Sequence, residues 1–319
     1  MAAHKLVLLL AVCSAISFIS CDVDVPIKEM VTARTTIEKA RQVLAEKYDP
    51  ANLNQAVEEL NKSHGFVVNK KASDAKASAI KATDYAEAAI QISLPQAVDG
   101  NLEESKTLYQ EADKLNAAKS APDQFAAAEA AITKTETLKS DHNLWDAFAK
   151  SKEAVTASGQ AKEAALAKLP ELNEELNAMK KDVEFLKSQK LNDQQKQQID
   201  EASSKLDKAG ELLGQNNAKE AAALMSEAGA SINTVKMAVQ KISARDKIAE
   251  LRKEAELLKK ERGSEYAGDD IAAITAALNE AESLLEQEKT EEALKKISEA
   301  EQLLASAKEK TTKGLALEK

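Results

Sequence analysis

Aromatic residues make up only 3% of this 319-residue chain, which also has just nine Gly, five Pro, three His and two Cys. Each shortage removes a class of chemistry. The nine Gly stand singly, so there is no Gly-rich loop to cradle a phosphate. His4 falls in the apolar N-terminal stretch, which leaves His64 and His142 for the rest of the chain. Two His furnish no recognisable Ser/His/Asp constellation, and no Cys/His/Asp spacing suggests a zinc site. Both cysteines, Cys13 and Cys21, lie near the N-terminus, and cleavage close to Cys21 leaves no pair for a disulfide. A net charge of -9 with so few aromatics lacks the basic stripe and stacking platforms of nucleic-acid binding. The expectation is a non-enzymatic protein with no cofactor, no metal and no nucleic-acid partner.

What is abundant points the other way. Apolar residues reach 44%, with Ala conspicuous among them, and charged residues reach 30%. Ala, Leu, Glu, Lys and Gln are strong helix formers, whereas Gly and Pro are the chief breakers. No segment alternates apolar and polar residues with the β-branched enrichment of a strand. The fold class read from this is all-α. Glu58/Lys62, Glu256/Lys260 and Glu292/Lys296 stand at i,i+4 with the acid first, each worth about 0.2–0.5 kcal/mol on an exposed helix. Charge so arranged reads as solvated helix faces.

The first twenty residues have the shape of an export signal. One Lys in Met1–Lys5 precedes an apolar run over residues 6–20, shorter than the roughly 20 residues a spanning helix needs, and acidic sequence follows at once. Phe18-Ile19-Ser20-Cys21 resembles a bacterial lipobox, in which a small residue precedes an invariant Cys. That resemblance implies diacylglyceryl transfer to the Cys21 thiol, cleavage before Cys21 and acylation of the new amine. Phe18 stands where the usual pattern prefers Leu, a departure that resembles the relaxed lipoboxes of spirochaetes. Each buried CH₂ contributes about 0.8 kcal/mol, so two or three acyl chains would anchor the protein stably. Two alternatives stay open at the level of sequence. One is ordinary signal cleavage that leaves Cys21 a free thiol. The other is a eukaryotic secreted protein, in which Asn61-Lys62-Ser63 would be a glycosylation acceptor.

Self-comparison finds a repeat of about 72 residues in four copies. With Leu53, Phe125, Ile199 and Ile271 as origins, separated by 72, 74 and 72 residues, apolar groups recur at fixed offsets. Thirteen residues on stand Phe66, Leu138, Leu212 and Leu284; an acid-Ala pair then ends at Ala75, Ala147, Ala221 and Ala293. Steps of seven from there reach Ala82, Ala154, Ala228 and Ala300, then Ala89, Ala161, Val235 and Ala307. Each copy reads as helix A, an amphipathic helix B, a polar turn, and helix C, whose Ala face lets a neighbour approach closely. The acid of the pair belongs in the first turn of helix C, where it suits the helix dipole. Pro95 and Pro170 are expected to interrupt the passage from C to the next A, while the passage between copies three and four carries no breaker and predicts one long helix. The expected architecture is four tandem helical-hairpin repeats forming an α-solenoid or an elongated bundle. Its expected divisions are a signal over 1–20, an acylated Cys and tether over 21–30, two repeats over 31–169, two over 170–312, and a tail over 313–319.

The pattern also resembles an Ala-rich helical repeat domain of bacterial, especially spirochaetal, envelope lipoproteins, and more distantly tetratricopeptide repeats. Tyr48 to Ala56, "AKSAPDQFAAAEAAI" at 118–132 and "SEYAGDDIAAITAALNEAESLL" at 264–285 carry the likeness. It implies an anchored envelope protein, associated with the outer membrane on either its surface or its periplasmic side, and it brings no activity. The leading expectation is a non-catalytic scaffold that binds an unidentified protein partner and, if displayed on the surface, serves as an adhesin. The competing expectation is a lipid-binding or carrier protein of amphipathic helices. Trp145 stands where the other copies have Ser73, Lys219 and Glu291. It is either a staple closing the loop onto its hairpin or an exposed contact for a partner.

Overall fold

The computed structural model describes residues 25–318, so the apolar leader and Cys21 lie outside the described residues. Those described residues are helical with no strand, and the chain is all-α. They form two compact units, one holding residues 25–113 and 117–165, the other residues 114–116 and 166–318.

The first unit contains α1 (Ile27–Gln42), the one-turn α2 (Ala45–Tyr48), α3 (Pro50–Val68), α4 (Ala72–Lys114), the one-turn α5 (Ala117–Ser120), α6 (Pro122–Ser140) and α7 (Leu144–Leu166). Buried Ile37 and Ala40 of α1 meet Leu53 and Ala56 of α3 and Ala86 and Ala89 from the first half of α4. Further along α4, Leu102 packs with Ile132 of α6 and Ala154 of α7, and Tyr109 stacks on Phe125 with ring centroids 4.3 Å apart. One long helix therefore serves two packing groups. Pro95 lies inside it and does not interrupt it, contrary to expectation. The lost hydrogen bond and ring clash of an interior Pro cost about 3 kcal/mol. Around it, Leu94, Ala97 and Val98 are buried against Val43, Ala147 and Phe148. Burial at roughly 0.8 kcal/mol per CH₂ outweighs that cost. Gln91, whose carbonyl loses its partner, is exposed.

The second unit contains α8 (Leu169–Lys187), α9 (Asp193–Gly214), α10 (Ala218–Leu258), the one-turn α11 (Ser264–Tyr266), α12 (Gly268–Glu286) and α13 (Thr290–Leu317). Pro170 sits in the first turn of α8, where a missing N–H costs nothing. The first half of α10 packs Met225, Ala228 and Ile232 among residues of α8 and α9; its second half packs Ile248, Leu251 and Ala255 among residues of α12 and α13. It runs unbroken for 41 residues, and the passage from Met237 onward, which carries no breaker, continues it as predicted. Beyond it the chain kinks within Lys259–Gly263, where Glu261 and Arg262 leave helical geometry and Arg262 takes φ 68°.

The turns between elements share one design. Lys70, His142, Asn216 and Glu288 all have left-handed φ, between 57° and 62°, and each is followed two residues later by the start of α4, α7, α10 or α13. Behind each, two backbone bonds close the preceding helix. Lys71, Asn143, Asn217 and Lys289 donate to the carbonyls of Phe66, Leu138, Leu212 and Leu284 at 2.8–3.0 Å, and the left-handed residues donate to Val67, Lys139, Leu213 and Leu285. This is the Schellman pattern, built here without Gly. Leu44, Asn116 and Arg262 carry a second left-handed turn ahead of a one-turn helix. The segment before α9 differs, because Asn192 and Gln195 form a reciprocal capping box instead.

Three local expectations are corrected. Of the i,i+4 pairs only Glu58/Lys62 forms, at 2.9 Å. Lys296 reaches across to Glu280 of α12 at 3.0 Å and to Glu299 at 3.1 Å; beside Glu256 it is Lys259 that pairs, just ahead of the kink at Glu261 and Arg262. Residues 27–30, expected to lie in a tether over 21–30, are helical, since α1 begins at Ile27. Of the expected tail over 313–319, residues 313–318 are not free: α13 continues to Leu317, Gly314 lies against the Tyr266 ring, and Glu318 accepts bonds from Arg262 and the Tyr266 hydroxyl.

Candidate functional site

The positions at steps of seven along α4, α7, α10 and α13 are all buried. Ala75, Ala82, Ala89, Ala147, Ala154, Ala161, Ala221, Ala228, Val235, Ala293, Ala300 and Ala307 are all 0% exposed. Eleven of the twelve carry only a Cβ methyl and the twelfth is Val235, so they are packing positions with no chemistry to offer. The acids that precede them, Asp74, Asp146, Glu220 and Glu292, stand in first turns as the dipole argument requires.

Trp145 is the second residue of α7 and is 44% exposed. Its neighbours Leu144 and Phe148 face the core beside Leu138. His142 occupies the left-handed turn just before it, with φ 58°. His64 lies on α3, remote in sequence from His142, and lines a different surface. Asn61-Lys62-Ser63 is helical, and the buried Ser63 hydroxyl donates to the carbonyl of Ala75 at 2.8 Å. Cys21 is outside the described residues. Among the described residues no group of three or more His, Cys, Asp and Glu is placed to hold a metal ion. No helix among them is long and apolar enough to cross a membrane.

The sequence reading missed a concave surface in the first unit. A groove of about 480 Å³ runs between α1 and α3, lined by Ile27, Met30, Val31, Val57, Leu60 and His64, with Arg34, Glu38 and Arg41 among its polar residues. Arg41 is held by Glu38 at 2.8 Å and Glu46 at 3.6 Å. Ile27 and Val31 are 66% and 57% exposed, so α1 carries an outward apolar stripe besides the inward one of Ala33, Ile37 and Ala40. Position i and i+4 on a helix share a face, which is the signal that would have revealed it. In a separate crevice between the starts of α1 and α4, Lys76 donates to Glu29 at 3.0 Å, and that bond holds the Glu29 carboxyl below its ordinary range. An apolar floor with scattered cations can bind an amphipathic surface or side chain; it positions no nucleophile beside a base.

Compared with models of known protein families, with curated proteins and with solved structures, the chain has no match.

Proposed function

We propose that this is a lipid-anchored, non-catalytic protein of the bacterial envelope, attached through Cys21, whose tandem helical repeats act as a scaffold for a protein partner. The observation that carries the scaffold reading is the recurrence of one turn. Lys70, His142, Asn216 and Glu288 repeat the same left-handed closure at intervals of 72, 74 and 72 residues, in step with the apolar positions around it. Four copies of one unit, each A-B-C, account for that spacing. Arrays of this kind present extended surfaces without needing a reaction centre. Against the lipid-carrier reading stands the burial of the helix faces: their narrow Ala stripes are spent on neighbouring helices.

The anchor and the display are tested together. Metabolic fatty-acid labelling should mark the wild type and not Cys21→Ala, and unlabelled wild type would sink the anchor. Protease treatment of intact cells separates the two displays. Digestion indicates an outward-facing adhesin; protection indicates a periplasmic organiser.

A further inference from the structure

The end of the first unit nearest the chain's entry carries an unusual combination. Ile27 and Val31, on successive turns of α1, are 66% and 57% exposed, and Val68 at the end of α3 is 81% exposed. The Lys76–Glu29 bond and the crevice shared by Val25–Glu29 with Ala72–Lys76 bring the start of α1 beside the start of α4, which Val68 adjoins through the turn. Lys28, Lys70 and Lys71 are exposed on this same end, and none of them forms a salt bridge with another of the described residues. Of the described acids at this end, Glu29 is bound by Lys76 and Asp74 stands in the first turn of α4, while Asp22 and Asp24 precede α1 in sequence.

We propose that this end rests on an anionic lipid surface, with Ile27, Val31 and Val68 entering the headgroup boundary and the three lysines meeting lipid phosphates. The proposal rests on the anchor at Cys21. Cys21 precedes Ile27 by six residues, so an acylated Cys21 lies within about 20 Å of the start of α1. At that distance this end meets the bilayer at high effective concentration, where even a small apolar patch with basic flanks is retained. Lysines near such a surface are attracted to acidic lipid and keep their charge in water while their stems lie along the boundary. The anionic surface also favours this end over the remainder of an acidic molecule, which it repels.

The scarcity of cysteine supplies the test. With Cys21 acylated and Cys13 removed with the leader, a Cys introduced at one position is the sole free thiol. Val31→Cys, Val68→Cys and, at the other end of α1, Gln42→Cys are each labelled with a polarity-sensitive dye. The acylated proteins are then placed in phosphatidylcholine vesicles with and without phosphatidylglycerol. The expected result is a blue shift with loss of iodide quenching at positions 31 and 68 in the phosphatidylglycerol vesicles, and none at 42. Replacing Lys28, Lys70 and Lys71 by Glu should abolish the shift while fatty-acid labelling and helical circular dichroism stay unchanged. Quenching at 31 and 68 that matches 42 overturns the surface contact and leaves the anchor standing. Shielding seen on intact cells and absent from vesicles also overturns it, in favour of a protein partner. Loss of the fatty-acid label overturns the anchor instead. In that case, failure of the unacylated chain to sediment with phosphatidylglycerol vesicles at low salt would overturn the surface contact as well.

Discussion

Ala300 shows what a single residue does in this protein. It is 0% exposed and belongs to the core that α12 and α13 share. Ala300→Leu adds three carbons where no space exists, and overpacking of this kind costs typically 1–3 kcal/mol. Its thermal unfolding, followed by circular dichroism, should begin at a lower temperature than wild type. Trp145 and Phe148 form a contrast on one helix. Phe148 is buried among Leu94, Ala97 and Val98, whereas Trp145 is 44% exposed. Phe148→Ala should cost about 3 kcal/mol. Trp145→Ala should cost about 1 kcal/mol or less, and its effect should fall on partner binding. A Trp145→Ala melting point as low as that of Phe148→Ala would return the residue to the role of staple. The repeat offsets revealed the buried Ala face because Ala spacing is a property of order along the chain. They could not separate Trp145 from Phe148, because exposure depends on what lies across from each.

At the scale of elements, the turns and the proline are where local rules and packing compete. A non-Gly residue in the left-handed region costs roughly 1–2 kcal/mol, and His142 pays it at the end of α6. His142→Gly relieves the Cβ clash but frees more of the unfolded chain, for a net gain of about 0.5–1 kcal/mol. The denaturation midpoint should rise accordingly; a fall would mean that the imidazole makes contacts outweighing the strain. Pro95 is the opposite case, a breaker overruled by Leu94, Ala97 and Val98. Pro95→Ala restores an N–H in the middle of α4 and should stabilise the chain by about 1–3 kcal/mol. An unchanged midpoint would show that the helix had already paid by bending. A Pro is recognisable in sequence, but its consequence is not, because the compensating burial comes from Val43, just past α1, and from Ala147 and Phe148 of α7, all far away in the chain.

On the scale of the molecule, ion pairs between neighbouring helices run along the surface of both units, among them Lys106–Glu136, Lys205–Glu227, Lys308–Glu254 and Lys310–Asp270. Being exposed, each contributes between nothing and about 1 kcal/mol. Their shared signature is in pH. Hydrogen bonds from Lys205, Lys308 and Lys310 hold Glu227, Glu254 and Asp270 below their ordinary pKa values, and Glu29 and Glu59 are lowered in the same way by Lys76 and Lys62. A carboxyl depressed in the folded state contributes stability that is complete above its unfolded pKa, near 4, and that fades as pH falls through the folded value. The urea midpoint should therefore hold steady from pH 7 to about pH 5 and fall between pH 4 and pH 2. Added salt should shrink that fall, since exposed pairs are screened.

The sequence by itself determined that the described chain is helical, which faces are Ala-narrow, and where helix B gives way to helix C. Composition, a period near 3.6 and polar turn residues act over a few residues, so they can be read in order along the chain. Tertiary structure alone decided that α4 passes through Pro95, that Lys296 turns away from Glu292 toward α12, and that Ile27, Val31 and Val68 stay exposed. Each of those outcomes depends on which distant side chains lie opposite. Burial and charge pairing are properties of the folded neighbourhood, and the linear order does not contain it.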